Sequence, residues 1–209
     1  MMPGQTRSLY RLRKKDVPQA AAVLTDAFRH DPVWREVLAE STTDQKQGLF
    51  EVPIKYCLSY GEVYATSENL EGVITWVPGD LADMPIWRLI RSGAIWSGLK
   101  VAVQLSPKLG PVFKPLQDDR KENMKGSPFI YLPVLGVASE FQGQGFGGKL
   151  LSTLIAESER VRVPVYLETE SEGNVRWYER FGFETVKQIN LPVINLPMWE
   201  MARKPSTEN

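Results

Sequence analysis

The stretch Phe141-Gln142-Gly143-Gln144-Gly145-Phe146-Gly147-Gly148-Lys149 organises the whole chain. Before it, residues 129–138 are apolar at nearly every position, the pattern of a strand covered on both faces in an α/β sheet. After it, Leu150, Leu151, Leu154 and Ile155 recur at helical spacing and form one apolar stripe. A glycine-rich turn between a buried strand and an amphipathic helix aims several backbone N–H groups at one point, and the helix dipole adds partial positive charge there. Glycines let a bulky anion approach with no Cβ in the way. The local physics predicts a phosphate or diphosphate site.

Working outward, residues 163–168 read as the next strand. Residues 174–180 read as a short helix, which Gly182 stops as a left-handed cap. Residues 184–190 and 198–203 can close the sheet as an antiparallel pair. Upstream, residues 9–13 alternate as a short strand. Asp16 is the expected N-cap of a helix carrying Ala20, Val23, Leu24, Ala27 and Phe28, broken at His30-Asp31-Pro32. A second helix runs from about Thr43 to Leu58, bent at Pro53. Residues 63–66 and 73–77 read as a strand pair. Residues 81–125 read as a helical insertion, with breakers at Gly110-Pro111 and Pro115 and with Trp87 and Trp96 as candidate walls of a lid. The order is mixed α/β with a β-α-β unit in the C-terminal half. One domain over residues 1–209 is expected, with disorder before Ser8 and after Pro205.

Lys+Arg and Asp+Glu both number 25, so the net charge is zero and no overall excess points to nucleic acid or an acidic membrane. A local patch can still hide inside a neutral total. Cys57 is the single cysteine, which excludes a disulfide within the chain and fits a reducing compartment. With no signal-like or membrane-length apolar run, a cytoplasmic protein without a membrane partner is expected. One His and one Cys argue against a structural zinc site, and no metal is expected.

Two ligand classes fit the glycine turn. Gly143, Gly145 and Gly148 spell G-x-G-x-x-G, and Glu168 follows about 20 residues on, as a dinucleotide-binding oxidoreductase requires. Against that, residues 138–142 separate strand from glycine. More than half the chain precedes the motif, and too little follows for a second mononucleotide half. The other reading joins two segments. Gln142-x-x-Gly145-x-Gly147 resembles the Q/R-x-x-G-x-G/A signature of the GNAT (GCN5-related) N-acetyltransferase superfamily. Asn174-Val175-Arg176-Trp177-Tyr178-Glu179-Arg180-Phe181-Gly182-Phe183 resembles its N-x-x-x-x-Y-x-x-x-G-F segment. The resemblance covers residues 129–203. Ala27-Phe28 and Asp31-Pro32 are similar to a pattern near the start of many members.

The resemblance implies a twisted, mostly antiparallel sheet of about six or seven strands flanked by helices, with one parallel pair splayed apart. That pair is residues 130–138 and 163–168, parting near Val137. Acetyl-CoA would enter the gap as co-substrate. Backbone groups of Leu135 and Val137 would pair with its pantetheine arm, with the Val137 N–H aimed at the acetyl oxygen. Gln142, Gly143, Gln144, Gly145, Phe146, Gly147 and Gly148 would hold the diphosphate, and Asn174 the pantetheine unless it merely caps its helix. Tyr178 would protonate the leaving thiolate. Glu168 is the candidate general base, with Glu170 in reserve. No activated nucleophile is apparent, so direct transfer to an amine is expected, the acceptor being a small molecule. A histidine often found before the central strand in the family is replaced here by Lys125-Gly126-Ser127-Pro128. The alternatives are a non-catalytic acyl-CoA-binding module and the dinucleotide enzyme. A monomer or a homodimer fits equally.

Overall fold

The structure, a computed structural model, describes residues 9–206, and within that range the side chains of all but residues 97–109. The elements run β1 (Tyr10–Arg11), α1 (Val17–Ala27), α2 (Pro32–Val37), α3 (Thr43–Tyr60), β2 (Glu62–Ala65), β3 (Gly72–Pro78), α4 (Ile86–Arg91), α5 (Ala94–Asn123), β4 (Ile130–Val137), α6 (Phe146–Val161), β5 (Val165–Thr169), α7 (Glu172–Glu179), β6 (Glu184–Asn190) and β7 (Pro197–Arg203). Seven strands form one sheet in the order β1-β2-β3-β4-β5-β7-β6. Every neighbouring pair is antiparallel except β4 with β5.

Apolar stripes decide which helix covers which face. Ala20, Ala21 and Leu24 of α1 and Phe50, Ile54 and Cys57 of α3 bury against Val63 and Val73. On the other face the predicted stripe of α6 is realised. Leu150, Leu151 and Leu154 are fully buried with Ile74, Val165 and Leu167, each such side chain stabilising the fold by roughly 1.5–3 kcal/mol. A third cluster joins Val33 and Val37 of α2, Val112 and Leu116 of α5, and Leu191 and Met198 at the β6–β7 hairpin.

The parallel pair is short. Only Ile130↔Val165 and Tyr131↔Tyr166 are register partners. The sequence placed the parting near Val137, and the strands already separate after Tyr131. The cause lies in β4 itself. Against β3, Tyr131 pairs with Val77 and Val134 with Thr75, so Leu132 and Pro133 together oppose Trp76 alone. This is a β-bulge, and Pro133, which has no N–H to give a ladder, sits in it. A bulge flips the alternation of N–H groups along a strand. Before it, the Ile130 N–H points to β5 and donates to Pro164 O; after it, the Ala138 N–H points to β3's side and donates to Glu71 O. By alternation the Leu135 and Val137 N–H groups turn to the side that β5 has left.

Several expectations change. Gly110-Pro111 and Pro115 do not break the insertion, because α5 runs through them for 30 residues. Pro111 and Pro115 stand four apart on one side, while Val112, Leu116 and Arg120 form a buried stripe that holds the helix down. Asp16 stands at the N-cap position of α1, but its side chain makes no cap hydrogen bond. Its carboxylate accepts from the Arg13 N–H and the Tyr10 hydroxyl instead. Asp31-Pro32 is more than a break, since the Asp31 side chain accepts from Trp34 N and starts α2. At the C-terminus Ser206 is bound to Glu159. The ends expected to be disordered otherwise lie outside the described residues.

Candidate active site

Two cavities meet where β4 and β5 part. The first, of about 460 Å³, is lined by Leu135, Val137, Gln142, Gly143, Gly145, Phe146, Gly147, Gly148, Asn174 and Tyr178, joined by Phe141, Trp177 and Arg180. Of the residues that sequence reasoning assigned to this side, Gln144 alone is missing. Its side-chain amide donates to Glu140 O, within its own turn. The Gln142 amide donates to Val137 O at 3.0 Å and ties the loop to the end of β4. Gly143 and Gly145 adopt φ of 77° and 86°, the left-handed region that only glycine enters without strain. Gly147 faces Trp177 so closely that an added Cβ would lie 3.4 Å from its ring. The wall contains no acidic residue and one arginine, and it surrounds the first turn of α6.

Asn174 is not the cap of α7. Ser171 is, its hydroxyl accepting from Asn174 N. The freed Asn174 amide donates to Glu170 Oε1 at 3.1 Å.

The second cavity, of about 240 Å³, lies on the other side of the gap and shares Leu135, Asn174 and Tyr178 with the first. Phe28, Trp34, Phe113 and Tyr131 give it aromatic walls, and Asp83, Glu168 and Glu170 bring carboxyl groups to it. Trp87 and Trp96 do not line it. Both are exposed on the outside of the insertion.

The two glutamates differ. Both Glu168 oxygens are engaged: Arg120 donates to one at 2.8 Å and the Tyr131 hydroxyl to the other at 2.8 Å. The Arg120 guanidinium also lies 4.1 Å from the centre of the Tyr131 ring and bonds Asp83. Burial raises the Glu168 pKa, with the charge of Arg120 pulling against it. Burial first, and then the nearby Asp31 carboxyl, hold Glu170 well above the usual carboxylate range. Tyr178 is buried against Trp177 and Phe183. Burial, and next the nearby Glu170, raise its pKa, so its hydroxyl keeps its proton through neutral pH.

Asp31, Arg120 and Tyr131 escaped the sequence reading. Arg120 carried a signal, because it continues the spacing of Val112 and Leu116 into the apolar stripe of α5. Asp31 carried none beyond its place before Pro32.

A mostly antiparallel sheet whose one parallel pair opens onto a glycine loop defines an acyltransferase fold rather than a doubly wound dinucleotide fold. The comparisons agree. The model of the acetyltransferase (GNAT) domain matches residues 117–185. An uncharacterised N-acetyltransferase of Schizosaccharomyces pombe is 30% identical over 95% of this chain and 84% of its own length. Among solved structures, a histone acetyltransferase HPA2 and related acetyltransferase from Corynebacterium glutamicum superposes with a TM-score of 0.64 at 22% identity, covering 97% of this chain and 98% of that one. An N-acetyltransferase from Staphylococcus aureus superposes with a TM-score of 0.57 at 16% identity, covering 93% and 99%. The chain belongs to the GNAT superfamily and is an acetyltransferase.

Proposed function

We propose that this enzyme takes acetyl-CoA in the gap between β4 and β5 and transfers its acetyl group directly to a small amine held in the aromatic cavity. The observation that carries this reading is the end of β4–β5 pairing after Tyr131, with cavities on either side that meet at Leu135, Asn174 and Tyr178. The residues present fit the co-substrate. The larger cavity lacks acidic groups, and its loop amides stand at a helix N-terminus with no Cβ at Gly143, Gly145, Gly147 and Gly148. Arg180 adds a positive charge there. When bound, acetyl-CoA supplies the acetyl group as a thioester.

The chain's own groups then divide the work. The Leu135 N–H pairs with the pantetheine as an added strand would. The Val137 N–H stabilises the negative charge that grows on the acyl oxygen. The Tyr178 hydroxyl donates its proton to the leaving sulfur. Glu168, the first candidate base, is held by Arg120 and Tyr131 and serves as a fixed negative charge in the wall. Glu170, whose pKa burial and the Asp31 carboxyl hold high, takes in its ionised form the proton that the ammonium of the acceptor must lose. Aromatic walls, several carboxyl groups and a volume of about 240 Å³ suit a small cationic amine better than a peptide.

A thermal-shift series tests the reading, because a ligand that binds the native state raises the melting midpoint by mass action. Acetyl-CoA is expected to raise it and NAD or NADP to leave it unchanged. A shift with the dinucleotides alone would overturn the proposal.

A further inference from the structure

We propose that the surface formed by α4 and the first turn of α5 docks on anionic lipid. Among the described residues, seven large apolar side chains are exposed, and the only tryptophans and isoleucines among them are Ile86, Trp87, Ile90 and Trp96, exposed by 59%, 54%, 53% and 71%. All four fall within eleven consecutive residues, on a six-residue helix and the turn that Gly93, with φ of 71°, makes into α5. Neither tryptophan lines either of the two cavities at the β4–β5 gap. Soluble surfaces seldom gather large apolar side chains in this way without a partner.

Charge identifies the partner. The molecule is neutral in total, yet residues 84–113 contain Arg88, Arg91, Lys100 and Lys108 and no acidic residue. Arg91 is exposed on α4 itself. The Arg88 guanidinium lies 4.8 Å from the centre of the Trp87 ring and also donates to Asp80 O, so Arg91 is the exposed cation of α4. Tryptophan and isoleucine beside arginine, on a short helix lying along the surface, are what the headgroup layer of an anionic bilayer accepts: rings at the interface, apolar side chains just below, guanidinium on lipid phosphate. A second copy of the chain fits less well. A two-fold contact through this face sets the same cations against each other with no acid in the segment to answer them, and the patch is far smaller than the roughly 20–30 residues a side of a stable interface. No described helix is long and apolar enough to cross a membrane, so the contact is one of lying on the surface. The chain passes from the inner cavity wall at Met84 into the patch at Ile86, so docking brings the lipid surface beside the acceptor side of the enzyme.

The test is sedimentation of the full chain with vesicles of phosphatidylcholine alone or with about 30% phosphatidylglycerol. Binding to the anionic vesicles is expected, at least about tenfold tighter than to the neutral ones and weaker in high salt. W87S/W96S should lose about tenfold or more and R91E several-fold. Both variants should retain thiol release from acetyl-CoA in the absence of lipid. Failure to sediment with anionic vesicles, equal sedimentation with neutral ones, or undiminished binding by the variants would overturn the proposal. So would a dimer in solution that W87S/W96S dissolves, which would assign the face to a second copy.

Discussion

In the proposed mechanism Tyr178 and Glu170, with Asp31 beside it, carry the chemistry, and each makes a distinct prediction. Removing the Tyr178 hydroxyl leaves the ring that packs against Trp177 and Phe183, so Tyr178→Phe should fold and bind acetyl-CoA as before while turnover falls about 10²–10⁴-fold, the usual worth of a positioned acid. Steady-state kinetics with free-thiol detection reads this directly. For the carboxyl pair, the Asp31 carboxyl raises the Glu170 pKa. Asp31→Asn takes away that charge and lowers the Glu170 pKa, so the acidic limb of kcat/KM against pH should move to lower pH. Glu170→Gln should abolish the limb with most of the rate. An unmoved limb in Asp31→Asn would remove the pair from the mechanism. At this scale the sequence was half legible. Tyr178 and the glycines announce themselves because their neighbours in the chain define their job. Asp31, Arg120 and Tyr131 act across gaps of 37 residues or more, as in the 37-residue span from Tyr131 to Glu168, and a local pattern does not reveal such partners.

The elements show the same division. The strands and helices from residue 129 onward follow from apolar runs and stripes, and the long helices α1 and α3 from their spacing. The passage of α5 through Pro111 and Pro115 was not legible. Local chemistry argues for a break there, and only burial of Val112, Leu116 and Arg120 against other elements overrides it. The last turns of α5 are joined to the sheet by polar contacts. Arg120 meets Glu168 on β5, and Asp119 pairs with Lys187 on β6. Asn123 and the Tyr166 hydroxyl both donate to Glu200 Oε2 on β7. Glu200 is fully buried with Oε1 unpartnered, and burial above all pushes its pKa up to about 7 from 4.5. A value raised in the folded state means stability that is complete below the unfolded value and lost as pH rises through the folded one. The loss therefore falls between about pH 4.5 and 8. Glu200→Gln keeps an acceptor for both donors without the charge. It should be more stable than the parent by on the order of 2 kcal/mol near pH 8 and nearly equal near pH 5. Melting midpoints across that range check it. A parent whose midpoint rises with pH over the same interval would contradict the assignment.

For the whole molecule, the proposed function rests on one interruption of regular structure. A single extra residue in β4, at Leu132-Pro133, turns the Leu135 and Val137 amides away from β3 just where β5 departs, and so leaves these two N–H groups facing an open cleft. The sequence predicted a splayed pair but set the opening six residues too late, because the motif marks the glycine loop and not the bulge. Amide hydrogen exchange resolved to single residues, with and without acetyl-CoA, tests this account most directly. The Leu135 and Val137 amides should exchange fast in the free enzyme and become protected when acetyl-CoA is added, while Ile130, already bonded to Pro164 O, changes little. Binding that leaves Leu135 and Val137 as fast as before would contradict it.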